Sequence, residues 1–402
     1  MTRNALPEST MPMVPPRVLL GPGPSNASPR VLQAMMAPMI GYLDPDFMEI
    51  VEEVSHLLKI VFTTEEAITM AIAGTGSAGM EAGVSSLLEP GDTAILGVCG
   101  FFGERMYDMA QRVGANVVIL RSEWGKPFPA EMMEAELKRH KQVKLIATVH
   151  AETSTGVQQP LGDISRLAKQ YGTLFMVDAV TSLGGTKVTV DAEGIDYCYS
   201  ASQKCLGCPP GMSPVALSQR GRQAIKNRKQ KPASWYLDLD LIARYWGPER
   251  TYHHTAPVSM ILGLREALRM LVEEGVDNRI ARHKRNAAAL RAGVQALGLK
   301  LVVPEPHRLD QITPLWIPQG VDDGKVRNAL LREYNIEIGR GLGQFSGKVW
   351  RIGLMGESSK SEYVLALLSA LENILPRCGY EVPVGAGVSA ASASLAAAAG
   401  AR

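Results

Sequence analysis

The sequence predicts an α/β protein: a large domain of mostly parallel sheet flanked by helices, then a smaller α+β C-terminal domain. Two observations carry this. From Asp44 to Ser218, short apolar runs alternate with stretches of helical periodicity. Repeated strand–helix–strand units build a parallel sheet with helices on both faces. Beyond Val276 the pattern shifts to strands and helices without that strict alternation. The expected boundaries are 1–18 for an N-terminal arm, 19–275 for the large domain, 276–380 for the small domain and 381–402 for a low-complexity tail.

Each element has a local reason. After Asp44, residues Phe47, Ile50, Val51, Val54, Leu57, Leu58 and Val61 fall on one helical face. ITMAIA (68–73) is a short buried strand and SAGMEAGVSSLLE (77–89) a helix. TAILGV (93–98) is a strand, and ERMYDMAQRVG (104–114) a helix ended by glycine. NVVILRS, VKLIATVH, TLFMVDA, IDYCYS and SPVALS are further strands. Residues 258–275 and 281–298 read as long helices. LKLVVP, TPLWIP, IEIG and KVWRIGLMG are the expected strands of the small domain. Helices from about Val321 and over SEYVLALLSALENIL accompany them. The alanine-rich end reads as a short helix or a frayed tail.

Composition narrows the function classes. At 402 residues the chain is long enough for two domains. A net charge of +2 points to neither nucleic acid nor an acidic membrane. The proline-rich start lacks the apolar core of a secretory signal, and no apolar run is long enough to span a bilayer. Five cysteines, an odd number, suggest a reducing cytoplasm. Cys205 and Cys208 have C-x-x-C spacing, but a zinc site needs a second ligand pair and none follows. They read as packing residues, and no metal is expected.

Three stretches carry chemistry. GTGSAGMEAG (74–83) follows a strand and opens a helix, where backbone N–H groups and the helix dipole favour an anion. Asp178 ends a buried-strand run, at the edge where α/β sheets bind ligands. Taken alone, its reading as a structural helix cap wins. Lys204 lies 26 residues further on, in YSASQKCLGCPPG, among small residues that leave room for a ligand. Lysine is almost never buried without a reason. An anion site, a buried acid and a buried lysine together suggest pyridoxal phosphate. Its phosphate needs the helix N-terminus, its ring nitrogen an acid, and its aldehyde an amine.

From these residues the chain resembles the class V aminotransferases, and within them the alanine–glyoxylate and serine–glyoxylate enzymes. The resemblance runs from LLGPGPSN (19–26) to about residue 395. It rests on LLGPGPSN, GTGSAGMEA, ETSTGVQQPL, VDAVTSLGG, SQK, YHHTAPV and GKVWRIGLMG. It implies a fold-type I pyridoxal-phosphate transferase. Lys204 would form the Schiff base and shuttle the Cα proton, and Asp178 would pair with the ring nitrogen. Phe102 would stack on the ring and Thr153 would reach its hydroxyl region. Thr75, Gly76, Ser77 and Gln203 would hold the phosphate, joined by Tyr252 and Thr255 of the partner in a homodimer with shared sites. Arg351 would clamp the substrate carboxylate.

Departures from relatives fall at Phe102, Ser77, Tyr42 and Arg340. Tyr42 and Arg340 bear on substrate choice, Arg340 being equally readable as a solvated loop charge. The implied activity moves an amino group from serine or alanine to glyoxylate or a similar 2-oxo acid, by ping-pong kinetics. Alternatives are ureidoglycine–glyoxylate and pyridoxamine–pyruvate aminotransferases, and a cysteine desulfurase-like lyase. The last is disfavoured because Gln203, not histidine, precedes Lys204. A nicotinamide dehydrogenase would need G-x-G-x-x-G with an acid about twenty residues on; GTGSAG has the glycine spacing, but no matching acid is evident.

Overall fold

The computed structural model describes residues 14–400, so the first thirteen residues of the expected N-terminal arm lie outside it. In chain order the first elements are β1 (Val18–Leu20), α1 (Pro29–Met35), α2 (Pro45–Phe62), β2 (Ile68–Ala73) and α3 (Gly76–Leu87). Then come β3 (Thr93–Val98), α4 (Phe101–Arg112), β4 (Asn116–Arg121), α5 (Ala130–Arg139) and β5 (Leu145–Val149). A small hairpin, β6 (Ala151–Glu152) and β7 (Val157–Gln158), precedes α6 (Gly162–Tyr171). Next are β8 (Leu174–Asp178), β9 (Tyr197–Tyr199) and β10 (Met212–Leu217). Four helices follow: α7 (Gln219–Lys226), α8 (Leu239–Trp246), α9 (Val258–Glu274) and α10 (Val276–Ala296). The chain closes with β11 (Ile312–Trp316), α11 (Asp323–Glu333), β12 (Ile336–Arg340), β13 (Val349–Gly353), α12 (Ser361–Arg377) and α13 (Ala386–Gly400).

The large sheet has seven strands in the order β2-β10-β9-β8-β5-β3-β4. All neighbours are parallel except β10, which runs antiparallel to both β9 and β2. The link from β9 to β10 has no helix to cross over, so the chain returns antiparallel. That link is the segment holding Lys204. The strands are apolar on both faces, as a sheet covered on both sides requires. Register puts Val149, Asp178 and Tyr199 side by side at one edge. The segments after β2, β3, β5, β8 and β9 therefore all emerge at that edge.

A four-stranded sheet, β1-β12-β13-β11, forms a second core with α10, α11, α12 and α13. Val18–Leu20 pairs parallel with Ile336–Ile338, so the start of the described chain belongs to the small sheet. Sequence order alone assigned Leu19 and Leu20 to the large domain; pairing of Leu20 into the second core decides otherwise. LKLVVP is not a strand: only a bridge between Leu301 and Leu315 forms. Pro304 and Pro306 follow and cannot donate to a ladder. The alanine-rich end does not fray. Helix α13 packs on α10 where Gly293 meets the Gly387 carbonyl at a spacing no side chain permits. Its first N–H groups, at Gly385, Gly387 and Val388, donate to the Glu372 carboxylate. No helix among the described residues is long and apolar enough to cross a membrane.

Candidate active site

Five segments at the sheet edge line one cavity of about 220 Å³. After β2 the chain turns at Gly74, whose φ of +143° and contact with Ala78 exclude a side chain. Thr75 is the N-cap of α3, yet its hydroxyl caps nothing. The first N–H groups of α3 are thus left for another acceptor. Gly76 packs so closely on Val180 and Ala201 that a Cβ would lie 2.8 Å from Val180. Phe102, after β3, forms part of the wall.

Asp178 ends β8 fully inside the protein. Its Oδ1 accepts from the Val180 N–H (2.8 Å) and its Oδ2 from the Tyr199 hydroxyl (2.6 Å). Burial pushes its carboxyl up to about 6, against the pull of the Tyr199 bond. Lys204 faces the cavity and donates from Nζ to the Pro22 carbonyl. Gly23 is needed there, since a Cβ would lie 2.4 Å from that Nζ. Burial, then the charge of Arg351, lower the Lys204 ammonium to about 8. An amine held that low is readily neutral and nucleophilic. Gln203 lines the wall, and its carboxamide oxygen is buried without a partner.

Thr153 is buried and shares a 2.5 Å hydrogen bond with Thr181. Its carbonyl accepts from Arg351 Nη1 (3.1 Å). Arg351, on β13, also donates from Nε to the Arg340 carbonyl (2.8 Å). It is 4% exposed and makes no ion pair among the described residues. Burial drops its guanidinium to about 10. A buried cation whose own chain offers only carbonyls suits an external carboxylate.

The remaining expected residues lie elsewhere. Tyr252 and Thr255 are exposed and do not line this cavity. Tyr42 stacks on Tyr252 at 5.4 Å, also outside it. The Arg340 side chain is exposed at the end of β12, and only its carbonyl reaches Arg351. Cys205 and Cys208 are buried, with the Cys205 thiol donating to the Thr181 carbonyl at 3.3 Å.

Two groups were not singled out from the sequence. Arg105 lines the cavity and donates to Ser77 Oγ (2.8 Å). Its signal was its place three residues after Phe102, on one helical face. Glu152 is fully buried and accepts from the N–H groups of Phe102, Gly103 and Ser154. An acid beside the apolar run VKLIATVHA was the clue.

Comparison with known proteins identifies the family. Residues 18–351 match the aminotransferase class-V family. Alanine–glyoxylate aminotransferase of Felis catus is 40% identical over 91% of this chain and 89% of its own. The crystal structure of an alanine–glyoxylate aminotransferase from Nostoc sp. superposes with a TM-score of 0.88 and 48% identity, covering 90% of this chain and 96% of that one. Ureidoglycine–glyoxylate aminotransferase from Bacillus subtilis superposes with a TM-score of 0.92 and 39% identity, over 94% and 98%. The chain belongs to the class V aminotransferases and has their fold-type I architecture.

Proposed function

We propose that the protein binds pyridoxal 5'-phosphate and transfers an amino group from serine or alanine to glyoxylate or a similar 2-oxo acid. One observation carries the reading: an uncapped helix N-terminus, a buried acid and a lysine lowered to about 8 converge on one cavity. The residues present fit the cofactor. Thr75, Gly76, Ser77 and Gln203 would hold its phosphate, Asp178 its ring nitrogen, Phe102 its face, Thr153 its hydroxyl side and Lys204 its aldehyde carbon. Bound there, pyridoxal phosphate supplies the electron sink that makes a Cα proton removable.

The chain's own groups do the rest. Lys204 accepts and returns that proton, which its lowered basicity favours near neutral pH. Arg351 holds the carboxylate common to donor and acceptor, fixing the Cα over Lys204. Relatives named for alanine and ureidoglycine as donors, both with glyoxylate, support the acceptor and leave the donor to kinetics. A panel of serine, alanine, ureidoglycine and pyridoxamine against glyoxylate and pyruvate settles the choice.

The working unit of this reading is a homodimer. Met36, Met39, Leu43, Trp235 and Tyr252 are large exposed apolar residues. Tyr42 stacks on Tyr252 and Met39 meets Ser259, so the patch is linked. A second copy covering it would bring Tyr252 and Thr255 to the partner's phosphate, with Tyr42 and Arg340 bearing on substrate choice at the entrance. All five cysteines are free, which supports a reducing, cytoplasmic setting.

Borohydride treatment of the cofactor-loaded protein tests the core of this. A visible absorbance band should disappear, and peptide mapping should find the tag on Lys204 alone. A tag on any other lysine overturns the assignment.

A further inference from the structure

Besides Lys204, the lining of the cavity contains one cationic side chain, Arg105. It stands on the first turns of α4 and donates from Nη1 to Ser77 Oγ at 2.8 Å. Ser77 is the second residue of α3, whose first N–H groups have no side-chain cap. Arg105 makes no ion pair among the described residues. Its guanidinium instead rests on two rings, 5.4 Å from the Phe101 centroid and 5.0 Å from Phe102. A half-buried arginine held by aromatic faces and a neutral hydroxyl, with no carboxylate at ion-pair distance and only the longer-range charge of Asp178, lacks a direct counterion.

We propose that Arg105 is the charge partner of the cofactor phosphate, reaching it beside Ser77 at the start of α3. The assignment rests on the pyridoxal-phosphate reading above and goes beyond the phosphate cradle named there. A phosphate brings close to two negative charges, while uncapped N–H groups and hydroxyls supply only partial positive charge. Lys204 is committed to the aldehyde, and Arg351 is not among the lining residues and donates to the Thr153 and Arg340 carbonyls. Arg105 is the group left to neutralise the phosphate. Its stacking on Phe102 couples the two ends of the cofactor: the residue proposed to cover the ring also holds the cation in place.

The test is equilibrium binding to the apoprotein, read by absorbance and by tryptophan fluorescence. Three probes are used: pyridoxal 5'-phosphate, pyridoxal, and inorganic phosphate as competitor. Arg105→Gln should weaken pyridoxal phosphate about tenfold to a hundredfold, the range for losing one charged hydrogen bond. Pyridoxal, which has no phosphate, should bind as to the wild type. Inorganic phosphate should compete less well with the variant. Arg105→Lys keeps the charge without the fork and should fall between.

Equal weakening of both vitamers would place Arg105 on the ring through Phe102, and unchanged affinities would give it no role; either overturns the proposal. If Arg105→Gln melts early as apoprotein, Arg105→Lys decides by the same vitamer comparison. A wild type that binds neither vitamer defeats the cofactor reading itself. A wild type that binds both, with a variant that matches it, defeats only the role of Arg105.

Discussion

The ends of two neighbouring strands each bury a carboxylate, and the two acids are used differently. Asp178 closes β8, and Glu152 stands three residues past β5. Both are almost wholly inside the protein. Burial raises both, Asp178 to about 6 and Glu152 to about 7. An ionised carboxyl has about four acceptor sites. Glu152 fills all four from its own chain: Phe102 and Gly103 N–H at one oxygen, Ser154 N–H and hydroxyl at the other. Asp178 fills two and lines the cavity with the rest. Depth alone therefore does not mark a functional acid. Spare acceptor capacity facing a cavity is what sets the candidate acid Asp178 apart, while the satisfied Glu152 anchors the helix that carries Phe102 and Arg105.

The contrast is broken most severely by Asp178→Asn. With the cofactor loaded, kcat should fall about a hundredfold to a thousandfold, as for other lost electrostatic stabilisers in active sites. The apoprotein should melt no lower than the wild type. Near wild-type turnover would remove Asp178 from the chemistry.

Arg351→Lys extends the same logic to the unpaired cation. KM should rise about tenfold to a hundredfold for both amino donor and glyoxylate, because the fork is lost and the charge kept. Loss for one substrate only would show that the two carboxylates do not share this residue.

Glu152→Gln should do the reverse of Asp178→Asn. Its amide turns donors toward N–H donors, so unfolding free energy should drop by about 1–3 kcal/mol. The value of kcat should stay within about tenfold of wild type. A large kcat loss with unchanged stability would make Glu152 a participant.

A pH series sharpens the same contrast. The Glu152 carboxyl sits above its ordinary value in the fold, so its contribution is fully present below about 4.5 and is lost as pH rises through about 7. The stability gap between wild type and Glu152→Gln should narrow by on the order of 3 kcal/mol over that window, with or without cofactor. A matching effect at Asp178, over the window from about 3.8 to about 6, should be present in the apoprotein and vanish on loading. Chemical denaturation at stepped pH measures both.

Charges set against an uncharged local pattern were the most legible feature of the candidate site. Asp178, Lys204 and Arg351 could be found because each puts charge where the neighbouring pattern is apolar. Glu152 obeys the same rule within ETSTGVQQPL, where the family resemblance points to Thr153 instead. Arg105 was hidden because an arginine on an amphipathic helix ordinarily faces solvent; only tertiary packing turns it inward. Tyr252, Thr255 and Arg340 are exposed and cannot be placed by periodicity, and Tyr42 is half-buried in a loop against Tyr252. In the fold, the alternating apolar runs predicted the large sheet, whereas α7 and α8, each eight residues long, gave too little periodicity to read. LKLVVP misled because apolar composition does not reveal missing donors.

The pairing of β1 with β12 also sets an order of assembly. Val18 meets Ile336, so the strand made first waits for one made near the end. During synthesis the large core, from Val31 to Leu271, can form while the small sheet still lacks its partners. The Pro22 carbonyl that receives Lys204 lies just past β1 and is positioned only when that sheet closes. A nascent chain stopped before Ile336 would own Lys204, Asp178 and the α3 turn, yet have no floor beneath its lysine. The ribosome would thus release an aminotransferase whose pocket is finished last.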